Sequence, residues 1–491
     1  MSITINKQPP QLSPVYNQLM IVATSSNQTK ESFQFIGDVY CNGVAVTKMK
    51  VPVNPDGYGV FDLHKHIENR ISFDFDPNAN YFTRATQSMA TYSVNFSEEF
   101  RQNWAFTDNF YEFNAPYTGN LGFYGPTEPF FVVGDEIFVA QNVGYTNNSY
   151  EGNSSIVAKT FSAGNWRITT NQAFGSASPT NSGTMSLANY NLNVISTTAS
   201  TGKLFAFNGV LSYLDYIDWD YTDWYANTTL PYGKFLTGVP DEYELGLDSR
   251  MWLNLYQNTT NSITKVYIKT NLGTYSITTS FTSVTVDNNR LLRIGIGPYQ
   301  LLNATASIST GAYTFPVMDS STTDMDIWVV NSINQQTIAT KTFKIKTQCS
   351  KYEKIQLVFL DKMGSFIPFT FNMVNKHNKT INKADYQQHY GSYAPASNNW
   401  SYKSYDRGRK TLDIVVLDQY TINSNWVNQI TSDFLMDLFE SPEVYWINEN
   451  GIIVAINIVS NSVERKQIIN DQVINYTLTF ELANKNMNQR G

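Results

Sequence analysis

Few residues in this chain could do chemistry. His64-Lys65-His66, with Glu68 nearby, is the first metal candidate. On a strand the two imidazoles would share a face. On a helix, where each residue turns by about 100°, they point apart and cannot share one ion. Surface or half-buried histidines are the expectation there. His377 and His389 sit in a polar stretch without ligand spacing, and the same expectation holds. The carboxylates Asp215, Asp218, Asp220 and Asp223 could hold calcium or form a glycosidase pair. A calcium loop begun at Asp218 needs Gly at its sixth position and Glu at its twelfth, and the chain has Asp223 and Thr229 there. Trp219 and Trp224 could stack on a sugar, but the expectation is an aromatic plug between domains with its Asp residues facing solvent.

Gly295-Ile296-Gly297-Pro298 lacks the third glycine of a dinucleotide loop, and Pro298 is expected to block the helix whose amides would face a phosphate. No nucleophile elbow, zinc-binding His pair or phosphate-loop sequence occurs. With four histidines in 491 residues, triad chemistry has few available bases. No catalytic, cofactor-binding or metal-binding residue is assigned, no cofactor is expected, and the chain is not expected to be an enzyme.

The bulk composition points to packed β structure. The apolar fraction is 42% and the aromatic fraction 14%, while charged residues make up only 15% against a usual value of about 25%. Such a chain is not disordered, and its length suggests roughly three or four domains. Surfaces rich in Asn, Ser, Thr and Tyr cost less to desolvate than Lys- or Glu-rich ones and suit wide protein–protein contacts; an AT-rich genome also produces this bias. The net charge of −7 and the lack of any long Lys/Arg run argue against wrapping by nucleic acid, though a mildly acidic channel would let DNA slide. Cys41 and Cys349 are expected as buried free thiols rather than one disulfide. No secretory signal and no apolar run long enough for a membrane helix are recognised.

The elements that would position these residues are mostly strands. Residues 1–113 read as an N-terminal β-sandwich, with a hairpin at Asn42-Gly43 and a short helix over Leu63–Arg70 capped by Asp62. Residues 114–200 read as a small β-barrel-like insertion. Its expected strands are Phe130–Val133, Glu136–Gln141, Ser155–Phe161 and Trp166–Thr169, and Ala173–Thr184 is an expected surface loop. Residues 201–348 read as a second β-sandwich region, opened by a possible helix through Tyr213, Ile217 and Tyr221. Its expected strands are Thr264–Thr270, Thr274–Ser280, Ser283–Val286, Leu291–Ile296 and Met325–Val330. Residues 349–491 read as a C-terminal α+β domain. There Asp361-Lys362-Met363-Gly364 and Asn450-Gly451 turn hairpins, Tyr390–Arg409 is a polar aromatic loop and Leu412–Leu417 a strand. A helix over 424–440, capped by Ser424, carries the stripe Trp426, Val427, Ile430, Phe434, Leu435 and Leu438. The expected fold class is mainly β and multi-domain, with Ig-like β-sandwiches.

Three stretches carry a resemblance. The first is Pro14-Val15-Tyr16-Asn17 with Val60-Phe61-Asp62-Leu63. The second is Asp218-Trp219-Asp220-Tyr221 followed by Lys234-Phe235-Leu236-Thr237 and Pro240. The third is Leu357 through Gly364, Phe369-Thr370-Phe371, Ser441-Pro442-Glu443-Val444-Tyr445 and Asn475 through Glu481. In this order they resemble virion proteins of tailed phages of Bacteroidetes hosts, including crAss-like phages. The resemblance implies a structural ring protein of the tail, neck or baseplate, assembled in the host cytoplasm and located in the virion tail. The implied partners are copies of itself and other tail, neck or portal-proximal proteins, with no membrane and no specific nucleic acid, although DNA may pass through the lumen. It supplies no catalytic residue. The C-terminal unit is similar in outline to phage tail-tube modules, whose rings extend β-sheets between subunits. The alternatives are a carbohydrate-binding β-sandwich adhesin and a depolymerase.

Overall fold

A computed structural model describes residues 3–30, 32–73, 75, 82–101, 122–125, 133–134, 136–141, 152–162, 165–170, 183–187, 192–257, 263–278, 290–302, 305–308, 311–346, 350–448, 450–460 and 474–484. The expected strand Ser283–Val286, Cys349, and most of Phe130–Val133 and Ala173–Thr184 lie outside them. The protein is mainly β, with several sheets and few, short helices.

The N-terminal part is a sandwich. Ile3–Lys7, Met20–Ser25 and Gly59–Asp62 form one sheet. The other contains Leu12–Pro14, Leu204–Phe207, Met89–Arg101, Gln34–Cys41 and Val44–Pro52. Inward residues of both sheets, among them Ile21, Phe35, Val39, Phe61, Tyr92, Val94 and Phe96, make one core. The hairpin at Asn42-Gly43 forms as expected: Cys41 pairs with Val44, and both turn residues have positive φ, +50° and +78°, which Asn and Gly tolerate. Cys41 is a buried free thiol, and burial pushes its pKa up, which keeps it unreactive. The short helix spans His64–Glu68. It is shorter than expected. Leu63, not Asp62, takes the N-cap position, with no side-chain cap bond. Asp62 Oδ1 accepts from His64 N at 3.3 Å one position further out.

The middle segment is an excursion from this sandwich. Leu192–Ser200 pairs antiparallel with Met89–Arg101, Leu192 opposite Arg101. That ladder is a stem, and the described strands between 122 and 187 form a separate five-stranded antiparallel sheet at its far end. Gly122–Gly125 and Gly183–Leu187, the outer strands of that sheet, were not expected from the sequence.

The remaining chain packs a seven-stranded sheet against a ten-stranded one. The long sheet runs Lys376–Gln387, Arg409–Asn423, Thr477–Leu482, Ile453–Ile458, Val444–Ile447, Ile355–Leu360, Phe366–Phe371, Trp252–Tyr256, Leu291–Gly295, Phe82–Arg84. Hydrogen-bond ladders therefore cross the boundaries expected at 113, 200 and 348. Residues 201–348 and 349–491 share one core, in which Val266, Ile327 and Phe343 meet Leu357, Phe359 and Leu478. Pairing between strands far apart in sequence decided this, and local pattern carries no record of it. Ile355–Leu360 shows the rule for a central strand: six consecutive residues are all buried. One face meets the large core, while Val358 and Leu360 join Trp252, Phe366 and Phe75 on the other.

One expected helix and one expected break are corrected. The C-terminal one is two short helices, Gln429–Phe434 and Met436–Glu440. Asn428 caps the first, accepting from Thr431 N. Ser424 instead binds Tyr476 N, and Val427 bridges to Ile474, so chain pairing uses the residues that were to open the helix. Phe434, Leu435 and Leu438 are buried as expected, but Trp426 and Ile430 are exposed. Leu435→Ala should destabilise the fold by about 2–4 kcal/mol, read as a lowered denaturation midpoint; an unchanged midpoint would place this side chain outside the core. Pro298 does not block a helix; it opens Pro298–Leu302, where its missing N–H costs nothing.

Candidate assembly surface

Among the described residues, the histidines and carboxylates lie apart, each in its own local contacts. His64 Nδ1 lies 2.9 Å from Asp62 Oδ1, on the helix that turns His66 away. His377 is on a strand, not in a loop. Its Nε2 is 2.9 Å from Asp418 Oδ1 and its ring stacks on Tyr420 at 4.2 Å. Asp418 also meets Lys379 at 3.4 Å. Burial alone would raise its carboxyl, yet the bonds from His377 and Lys379 hold it below the usual range. His389 is exposed.

The aromatic segment is the expected plug. Ser212 caps helix Tyr213–Ile217 and Asp220 caps the turn Tyr221–Trp224. Trp219 donates to Leu12 O at 2.8 Å, stacks on Trp224 at 5.5 Å and leans on Phe207. The plug thus seals the junction between the two sandwiches. Asp215, Asp218 and Asp220 face solvent. Asp215 binds Ser212, and Asp223 pairs with Lys234 at 3.0 Å. The bonds from the Thr222 hydroxyl and amide hold Asp220 below the usual carboxylate range. Among the described residues no group of three His, Cys, Asp or Glu is placed to hold a metal. Gly295 and Gly297 permit close chain approach: a Cβ on Gly297 would collide with Met251 N and Ser249 O.

A second junction sits at the hairpin turn that follows Ile355–Leu360. Asp361 is buried and its carboxylate accepts four bonds. Thr237 Oγ1 (2.6 Å) and Gly238 N (3.0 Å) reach Oδ2; Met363 N (3.0 Å) and Ser365 N (2.7 Å) reach Oδ1. Burial pushes its pKa up to about 7, against these bonds and helped by Asp437. Next to it, Lys362 bridges Asp437 at 3.1 Å and Glu440 at 2.9 Å. Burial alone would lower the Lys362 ammonium, but Glu440 and Asp437 hold it above its ordinary value. These bonds tie the plug-side segment 236–239 to the C-terminal helices. The sequence marks the turn; it does not mark the carboxylate's distant partners Thr237 and Gly238, 124 and 123 residues away.

The largest feature missed by sequence is a projecting arm. Lys376–Gln387 pairs with Arg409–Asn423 from Lys376↔Thr421 to Gln387↔Arg409. Gln419–Asn423 of the second strand is also paired on its other edge, with Thr477–Glu481. Further out, the ladder among the described residues is the one between the two strands. At ~3.3 Å per residue, Lys379–Gln387 carries the ribbon about 30 Å from the sheet. Every residue of Lys376–Gln387 is exposed. The tip adds a small hairpin, Ser392–Ala394 with Asn399–Ser401, and exposed Tyr390, Tyr393, Trp400, Tyr402 (67%) and Tyr405 (73%). Trp400 Nε1 donates to Tyr390 O at 3.1 Å and closes the tip.

The arm has an unusual composition for a free ribbon. Ile414-Val415-Val416-Leu417 is a continuous apolar run, the pattern of a strand covered on both faces. Cross-strand partners share a face, so Val416 with Ile381 and Ile414 lie on one side, Val415 and Leu417 on the other. None of the four is buried. Ile381 is 54% exposed, as is Leu412 at 61% in the bulge beside Asp413. The central strand Ile355–Leu360 has the same pattern and is buried throughout, whereas Ile381, Leu412 and Val415 of the arm are exposed among the described residues.

No protein-family model and no curated protein matches the chain. Among solved structures, SGBP-B of the Bacteroides ovatus mixed-linkage glucan utilization locus, in complex with a mixed-linkage heptasaccharide, aligns over 84% of this chain and 92% of its own at 8% identity, with a TM-score of 0.14. Dimeric latent PorU from Porphyromonas gingivalis aligns over 71% of this chain and 34% of its own, at 10% identity and a TM-score of 0.15. Native E. coli alpha-2-macroglobulin aligns over 93% of this chain and 27% of its own, at 10% identity and a TM-score of 0.16. The chain thus spans about a third of the second protein and about a quarter of the third.

Proposed function

We propose that this chain is a structural component of a phage virion and forms an oligomeric ring in the tail, neck or baseplate. The sequence resemblance supplies the setting. The observation that carries the oligomeric part is the arm, on which Ile381, Leu412 and Val415 are exposed among the described residues. A two-stranded ribbon is marginally stable by itself in water. It becomes stable when a further strand or face packs on it, which is how sheets extend between subunits. The buried Asp361 junction and the aromatic plug support a second requirement: a ring subunit must hold its domains rigidly under load. Copies of the same chain and neighbouring tail or portal-proximal proteins are the partners, and the location is the virion tail.

The test is mass spectrometry of purified phage particles before and after stepwise disruption. The chain should be present at a fixed, multiple copy number per particle and released with tail fractions. Its absence from purified particles would overturn the proposal. A second reading, a carbohydrate-binding adhesin, draws support from the exposed Tyr390, Tyr402 and Tyr405 at the arm tip. Trp219 is committed to the plug, so a glycan array should be run with Tyr402→Ala and Tyr405→Ala. Binding that these substitutions abolish would favour the adhesin, and a blank array would remove it.

A further inference from the structure

We infer that the turn Asp361–Gly364, with Asp437 and Glu440, is a pH-operated joint, closed in mild acid and opened by the loss of one proton. It holds parts of one chain together and does not depend on the virion reading. Three carboxyls here crowd one ammonium. Lys362 Nζ lies 3.1 Å from Asp437 Oδ1 and 2.9 Å from Glu440 Oε2. Asp361 is met instead by three amides and the Thr237 hydroxyl. Gly238 stands between two of the carboxyls. Its N–H donates to Asp361 Oδ2 at 3.0 Å, and a Cβ on it would lie 3.5 Å from Asp437 Oδ2. With all three carboxyls ionised the cluster would carry three negative charges against one positive, a net of −2. Like charges this close disfavour each other's ionised form. Burial acts in the same direction and takes the Asp361 carboxyl up to about 7 from 3.8. Asp437 is raised as well.

A cavity of about 350 Å³ adjoins the cluster, walled by Tyr16, Gly209, Val210, Asp361, Asp437 and Pro442 among others. Its walls are linked by few bonds. Val210 N donates to Lys362 O at 2.8 Å and Tyr16 N to Gly209 O at 3.2 Å. Asn17 and Leu211 exchange two bonds, at 3.0 and 2.8 Å. The loop of the N-terminal sandwich thus reaches the C-terminal helices through segment 208–211 and the turn. An ionised Asp361 gains hydration when the turn parts from Gly238 and Val210 and water enters from the cavity. The other charged groups on these elements are engaged elsewhere: Lys341 with Val239 O and Asp241, Glu443 with Tyr445. The Tyr16 phenol is raised by burial and by Glu68 and stays neutral. The closed joint keeps the Asp361 proton up to about 7, whereas the open one releases it near 3.8. The closed form is therefore fully favoured below about 4, loses ground as pH rises through this window and levels off above about 7.

The test is amide hydrogen exchange of the full chain between about pH 5 and about pH 8, corrected for the intrinsic pH dependence of exchange. The reporters are the amides of Gly238, Met363 and Ser365, which donate to Asp361, and that of Val210, which donates to Lys362 O. Their opening equilibrium should rise about tenfold or more across this range. Amides in the ladder between Gln34–Cys41 and Met89–Arg101 should change less. Asp361→Asn, which cannot ionise, should make opening at the reporters independent of pH. Asp437→Asn removes the neighbouring charge and serves also if Asp361→Asn does not fold; the rise should then be smaller and level off at lower pH. Reporters that open equally at both ends of the range in the parent would overturn the joint. So would an equal rise in parent and Asp361→Asn, which would place the titrating group elsewhere. An equal rise at every amide of the chain would also overturn it, since that is a loss of global stability and not a local opening.

Discussion

Asp361→Ala should destabilise the chain by about 3–5 kcal/mol, because it leaves buried donors without an acceptor. Four groups lose their partner at once: the Thr237 hydroxyl and the amides of Gly238, Met363 and Ser365. Water does not readily replace the carboxylate, since Asp361 is 3% exposed. Asp361→Asn keeps the shape and one acceptor oxygen but turns an amide toward Gly238 N, so it should cost less, about 1–3 kcal/mol. The pair of variants therefore separates acceptor loss from loss of volume.

The same carboxyl gives a pH signature. Its folded pKa is raised to about 7 from 3.8. Between these values the folded chain keeps the proton and the unfolded chain has released it, so stability falls as pH rises through this window. Below about 4 the contribution is fully present, and above about 7 it is gone; the span is on the order of 4 kcal/mol. Burial also raises the neighbouring Asp437, offset in part by Lys362, and Glu440 faces the same group. The difference between parent and Asp361→Asn isolates the one carboxyl. That difference should shrink as pH rises from 5 to 8 in urea melts. A constant difference would mean that Asp361 stays ionised throughout, held by its four donors.

Gly364→Ala should be comparably severe, at about 3–5 kcal/mol, because two penalties add. Gly364 has φ +86°, a conformation that costs any residue with a Cβ. The new Cβ would also sit 2.5 Å from Asn208 O, a backbone atom of the segment entering the plug. Relief requires moving that segment, yet Val210 N is bonded to Lys362 O at 2.8 Å. The turn would also disturb Asn254 Nδ2, which donates to Gly364 O. A lowered urea midpoint with an unchanged slope is the expected result; an unchanged midpoint would mean the turn relaxes freely.

The fold was legible where short-range chemistry decides it. Asn42-Gly43, Asp361–Gly364 and Asn450-Gly451 each turn a hairpin, because their residues tolerate the required dihedrals. The strand Lys376–Gln387 was invisible for an equally physical reason. Neither of its faces meets a core, so no alternation of polar and apolar residues marks it, and its extended form depends on Arg409–Asn423. Conversely, the apolar run within Leu412–Leu417 marks a strand, and it forms part of Arg409–Asn423. The cap at Asn428 was confused with Ser424 because both residue types cap helices, and only the Ser424–Tyr476 bond separates them. Phe82–Arg84 pairs with Leu291–Gly295 across the boundary expected at 113, a contact that spacing cannot encode. Among the candidate sites, the aromatic plug was foreseen in kind, whereas the Asp361 junction needed the distant Thr237-Gly238.

The central claim is assembly, and electron microscopy of the negatively stained chain, purified alone and from disrupted particles, tests it most directly. Rings of one symmetry, present in both samples, are the predicted result and would give the copy number. Isolated single copies in solution, with no matching ring in any particle, would contradict it.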